Sequence, residues 1–186
     1  MAPKVKITKD EIVLEALDLV RWEGKDALNA RNLAASIGCS TQPIFSNFAN
    51  MSELFEAVRK AAYELYLGFI KRETEEGKYP QYKAFGMAYI RFATEESELF
   101  KFIFMRDRRG MEEEVGPDFT AAVEMIAKSN GISREKAELI HLEMWATVHG
   151  IAVMQATSFL SLTPGLTSVM LSDVYQGIRA NILKEG

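Results

Sequence analysis

One cysteine, Cys39, and two histidines, His141 and His149, are all that this 186-residue chain offers of the residues that most often bind metals or attack substrates. A lone thiol closes no intramolecular disulfide and builds no cysteine zinc site, and it agrees with a reducing compartment. Glu138 and His141 spell the Glu-x-x-His spacing of carboxylate-bridged di-iron bundles, but a second pair is missing. No glycine-rich phosphate loop follows a strand pattern and no serine sits in a nucleophile elbow, so the chain is expected not to be an enzyme and to need no cofactor or metal. Long apolar runs are lacking too. The stretch Met144 to Leu162 is broken by His149, Gln155, Thr157 and Ser158, short of the roughly 18 uninterrupted apolar residues of a membrane span. The basic residues up to Lys9 lead into an amphipathic segment rather than an apolar one, which is not a signal-peptide pattern. The expected location is cytoplasmic.

Acidic residues are absent from one place in particular. The net charge is −4, yet between Ala27 and Ser52 there is no Asp or Glu. In residues 1–50 the cations Lys4, Lys6, Lys9, Arg21, Lys25 and Arg31 balance the anions Asp10, Glu11, Glu15, Asp18, Glu23 and Asp26. A surface built from the acid-free stretch, with Asn29, Arg31, Ser40, Thr41, Gln42, Ser46, Asn47 and Asn50 as donors, does not repel phosphate.

Alternating strand patterns, internal repeats and low-complexity tracts are also missing, and what remains reads as an all-α chain of about nine helices. Thr8 with Glu11 makes a capping box ahead of Ile12, Ala16, Leu19 and Val20, and Gly24 closes that helix. A second helix fits Ala30 to Ile37, capped by Asn29 and stopped by Gly38. A third fits Thr41 to Asn47, capped by Ser40, with Pro43 tolerated in the first turn. A long helix is expected from Met51 to about Glu75, then others over Gln81 to Thr94, Ser97 to Met105 and Pro117 to Asn130. One from Ser133 runs to about Leu160, and the last runs from Pro164 through Ile182. Arg106 to Gly116 reads as a loop.

Leu33, Ala34, Ile37, Gly38, Ile44 and Phe48 supply the small turn residue and the apolar lock that a helix-turn-helix needs. The segment Gly38-Cys39-Ser40-Thr41-Gln42-Pro43-Ile44-Phe45-Ser46-Asn47-Phe48 resembles the TetR family of bacterial regulators over residues 8–60, with a Gly-hydrophobic-Ser, three variable residues, a hydrophobic-aromatic pair and a terminal Phe in that register. The resemblance implies a three-helix DNA-binding domain at 1–50 and an effector-binding and dimerisation domain at 51–186. It makes Thr41 to Asn47 the recognition helix, with Thr41, Gln42 and Pro43 facing bases, Gln42 suited to adenine and Pro43 to a thymine methyl. Asn29, Arg31, Ser40, Phe45, Ser46 and Asn47 complete the expected DNA-binding set, with Lys4 and Lys6 on a basic arm. The family commonly has Tyr in place of Phe45 and Lys in place of Met51, both phosphate contacts, so non-specific affinity and salt dependence are expected to be weaker here.

In the second domain, Met and aromatic residues at helical spacing fit either plain core or an apolar effector cavity. The cavity candidates are Phe85, Tyr89, Phe102, Phe104, Met105, Met125, Trp145, His149 and Met154. Trp145 to Gly150 looks like the Trp and His-Gly elements of some TetR-type regulatory domains, with His149 a hydrogen-bonded interface residue or a polar handle for a ligand. Ile140, Met144, Val148, Ile151, Val153, Phe159, Val169, Val174 and Ile178 are the expected dimer face of a four-helix bundle. The reading is a homodimeric repressor that binds a palindromic DNA operator and is released by a small, largely apolar effector. The alternative is a TetR-like regulator that has lost DNA binding and acts through protein contacts.

Overall fold

The computed structural model describes residues 7–107, 109 and 117–184, with backbone only at 117 and 118. Among them are nine α-helices, one 3₁₀ turn at Lys25–Ala27, and no strand. The chain forms two compact units, Met1–Gly68 with Glu96–Arg106, and Phe69–Glu95 with Asp107–Gly186.

In the first unit, α1 (Lys9–Glu23) opens on the expected capping box. The Glu11 amide donates to the Thr8 hydroxyl at 3.2 Å, and the Thr8 amide donates to the Glu11 carboxylate at 2.8 Å. This pairing holds the Glu11 carboxyl below its usual range. The α2 helix (Ala30–Ile37) begins at Asn29, whose side-chain oxygen accepts from the amides of Arg31 and Asn32 at 3.1 and 3.0 Å. It ends at Gly38, with φ +75° and ψ 33°, a left-handed turn that a side chain would strain.

The third helix, α3, is Gln42–Asn47, one residue shorter than expected, and Ser40 does not cap it. Thr41 occupies the cap position in right-handed helical conformation with no side-chain bond, and its carbonyl accepts from the Phe45 amide at 3.2 Å. Pro43 sits within the first turn and donates nothing, so that turn needs less capping.

A second reciprocal cap starts α4 (Met51–Glu75). The Glu53 amide donates to Asn50 at 3.0 Å, and the Ala49 amide donates to the Glu53 carboxylate at 2.8 Å. Lys9 bonds the same carboxylate at 2.7 Å while its ammonium lies 4.6 Å from the centre of the Phe48 ring. Ile12, Ala16, Val20, Leu33, Ile44, Phe48, Leu54 and Val58 bury completely or almost so and form the core. The α6 helix (Ser97–Phe104) adds Leu99 and Phe100, and the residue before it, Glu96, pairs with Arg21 of α1 at 2.8 Å.

The second unit packs α5 (Gln81–Glu95), α7 (Pro117–Asn130), α8 (Arg134–Ala156) and α9 (Pro164–Lys184). Ala84, Ala88, Phe92 and Ala93 of α5 and Ala137, Ile140 and Ala152 of α8 are wholly buried. Gly86 fixes how near α5 comes to its neighbours. A Cβ there would lie 3.2 Å from a Val148 methyl and 3.4 Å from a Leu171 methyl. The α8 helix stops at Ala156 rather than about Leu160. Ser158 turns left-handed at φ 56°, and the amides of Phe159 and Leu160 fold back onto the Met154 carbonyl. Among the described helices, α4 alone has residues in both units.

Neighbouring positions on α3 should respond differently to truncation. Ile44→Ala empties a fully buried site and should lower unfolding stability by about 2–5 kcal/mol, whereas Phe45→Ala, on the exposed side, should change it by about 0.5 kcal/mol or less. Urea titrations followed by circular dichroism read both.

Candidate functional site

The residues of α3, with Thr41 at its cap, divide cleanly between interior and solvent. Ile44 is fully buried, Pro43 and Asn47 are half-buried, and Thr41, Gln42, Phe45 and Ser46 face outward. The inward polar group is consumed locally, since the Asn47 amide nitrogen donates to the carbonyls of Pro43 at 2.8 Å and Ile7 at 3.4 Å. Ser46 is turned back as well, its hydroxyl donating to the Gln42 carbonyl at 2.8 Å. The side-chain oxygen of Asn29 is committed to its helix cap, so the amides of Arg31 and Asn32 are satisfied within the chain. Arg31, Ser40, Thr41 and Gln42 are exposed, and among the described residues their side chains make no hydrogen bond or ion pair. Lys4 and Lys6 lie outside the described residues, as do Arg108 and residues 110–116 of the expected loop.

The residues expected around an effector divide between the two units. Phe102, Phe104 and Met105 belong to the first. There the Phe102 ring lies 6.0 Å from Phe55 with the Arg59 guanidinium 5.2 Å away, and Phe104 meets Tyr66 edge-on at 5.4 Å. Phe85, Tyr89, Met125, Trp145, His149 and Met154 belong to the second. Tyr89 is buried, Trp145 is half exposed, and the other four are half-buried.

Both histidines lie on α8, and the Nδ1 of each is hydrogen-bonded to a tyrosine hydroxyl of α5. Tyr82 Oη is 3.0 Å from His141, and Tyr89 Oη is 2.9 Å from His149. Burial raises both phenols, with Tyr175 adding to the effect at Tyr82, so each keeps its proton. Trp145 stacks flat on His149, with centroids 5.1 Å apart and planes 4° apart, while Phe119 stands edge-on to His141 at 4.9 Å. Glu138 pairs with Arg134 at 2.8 Å, which gives that Glu-x-x-His pair two separate structural duties.

Tyr82, Phe119 and Tyr175 were not among the sequence candidates. Their signal is the near-match of spacing, seven residues between Tyr82 and Tyr89 against eight between His141 and His149, which lets two turns of one helix meet two turns of another.

Of the expected dimer residues, Ile140, Met144 and Ile151 are buried within their own unit. Val148, Val153, Val174 and Ile178 are half-buried, and Phe159 and Val169 are exposed. Leu139, Leu142 and Leu166 are exposed beside them in sequence and were not anticipated. No helix among the described residues is long and apolar enough to cross a membrane.

A short helix projecting a polar face from the Gly38 turn is the arrangement of a helix-turn-helix. The family model described as the tetracyclin repressor-like C-terminal domain matches residues 82–170. An uncharacterized HTH-type transcriptional regulator of Mycobacterium tuberculosis is 23% identical over 168 residues, covering 86% of this chain and 75% of that protein. The crystal structure of the Streptomyces coelicolor TetR family protein ActR, in complex with (S)-DNPA, has the same fold. Its TM-score is 0.61 at 19% identity, over 96% of this chain and 100% of that one. Over residues 82–170 the chain is thus similar to a tetracyclin repressor-like C-terminal domain, and it has the fold of a TetR family protein.

The histidine pairs give the second unit a pH signature. Burial lowers both imidazoles below the ordinary 6.5, so in weak acid the unfolded chain binds more protons than the folded one. Their contribution is fully present above about pH 6.5 and is lost as pH falls through the lowered folded values. Urea unfolding between pH 7.5 and 5.5 should show this loss, and a His141→Gln/His149→Gln double variant should show a flatter profile.

Proposed function

We propose that this chain is a TetR-type transcriptional regulator, a homodimeric repressor that inserts α3 into the major groove of a palindromic operator and leaves it when a small, largely apolar effector binds the second unit. The carrying observation is the outward face of α3. Thr41 and Gln42 stand exposed and uncommitted on a helix anchored by buried Ile44, within a stretch from Ala27 to Ser52 that holds no acidic residue. Gln42 is suited to pair bidentately with adenine, and Arg31 at the start of α2 reaches a phosphate or a base.

A dimer supplies two recognition helices to successive grooves about 34 Å apart. The exposed Leu142 of α8 and Leu166 and Val169 of α9, with Phe159 between the helices, support a face there for a second copy. Effector control needs a ligand that prefers one conformer, and it lowers DNA affinity only by as much as that preference. As the helix with residues in both units, α4 is the proposed route of coupling. That ActR was solved with a small molecule bound supports the sensor role. A cytoplasmic location follows from this reading.

Binding to DNA flanking its own gene, across a salt series and alongside the mass in solution, tests the proposal. Specific, salt-sensitive binding by a dimer is expected, with Gln42→Ala weakening it by about tenfold or more and Arg31→Ala reducing the salt slope. Val169→Glu should yield monomers that bind DNA poorly. A dimer that ignores DNA at low salt would instead favour a regulator acting through protein contacts.

A further inference from the structure

Phe45 is an exposed aromatic ring on a helix that otherwise presents polar groups. Its neighbour Ile44 is fully buried, yet 49% of Phe45 is open to solvent. It shares the outward face with Gln42, three residues earlier. The other donors nearby are diminished, because Ser46 bonds the Gln42 carbonyl and Asn47 bonds those of Pro43 and Ile7. What α3 offers a partner is one free amide, the Thr41 hydroxyl, and one ring with no hydroxyl. There is no cation on the helix.

A phenyl ring cannot donate to a phosphate, so its exposure is not explained by backbone contact. The apolar feature of a base edge in the major groove is the C5-methyl of thymine. Side chains three apart on a helix lie about 5–6 Å apart at Cβ, close enough for Gln42 and Phe45 to meet the same or adjacent base pairs.

We propose that Phe45 packs on the 5-methyl group of a thymine beside an adenine read by Gln42, so that the half-site this regulator selects carries A·T pairs at the centre of the α3 contact. This rests on the DNA-binding reading above. It makes Phe45 a specificity residue, and it places base selection rather than phosphate attraction at this position.

The test selects duplexes from a randomised pool with the full-length chain at low salt, then replaces each thymine of the recovered half-site singly by deoxyuridine, which removes only the methyl. One replacement should weaken wild-type binding by about three- to fivefold. Phe45→Ala should bind the thymine and deoxyuridine duplexes equally, and Phe45→Leu should retain part of the discrimination, with unfolding midpoints confirming that both variants fold. If selected duplexes bind but no replacement matters, or Phe45→Ala loses as much as the wild type, Phe45 is not the reader and the DNA-binding reading stands without it. If no sequence is enriched, the DNA-binding reading fails and this inference falls with it.

Discussion

A six-residue helix has no stability of its own, because nucleation fixes several residues for one or two internal hydrogen bonds. The α3 helix exists because Ile44 and Phe48 bury against the first unit's core, and because the segment after it is clamped. Glu53 accepts the Ala49 amide and the Lys9 ammonium, and Lys9 also covers the Phe48 ring. The start of α1, the end of α3 and the start of α4 therefore meet at one carboxylate, whose pKa is held low by these bonds, the Lys9 contact foremost. The clamp is exposed and its ion pair contributes little by itself. Its importance is geometric, since it fixes the exit of a helix too short to orient itself.

The second unit solves a different problem. Its helices are long enough to persist, so the constraint is how closely they approach. Alanines line the buried side of α5, and Gly86 removes the last Cβ where Val148 and Leu171 come near. At that approach the tyrosine hydroxyls of α5 reach imidazole nitrogens on α8. Backbone proximity thus comes first, and the polar pairs lock the register.

Much of this was legible in the sequence because local chemistry decided it. The Thr8–Glu11 box, the Asn29 cap, Gly38 and the bounds of α2 and α4 depend on a few adjacent residues and emerged as read. Where tertiary context intervened, reading failed by small amounts. Ser40 had the right chemistry for a cap, but Pro43 and the helical Thr41 moved the start of α3. The end of α8 depends on Ser158 adopting a left-handed conformation with no glycine to announce it. Burial was the least legible property. The pattern of α8 is apolar on nearly every side, so Ile140, Met144 and Ile151 could not be told from Leu139 and Leu142 until the neighbouring helices were in place.

Hydrogen bonds made within the chain reduce what a side chain has left to offer a partner. Asn29, Ser46 and Asn47 have the right groups for DNA, yet their best hydrogen bonds are made inside the first unit. In the second unit each imidazole has likewise given its Nδ1 to a tyrosine. What remains exposed on α3 is a small set in which, on the proposed reading, Gln42 would supply the directional bond and Phe45 the apolar surface. A recognition helix built this way gains little from phosphate attraction, which is indifferent to sequence, and depends more on fit to base edges. On the proposed reading, a bare ring at position 45, where the resembled family commonly has a tyrosine, would trade non-specific affinity for discrimination.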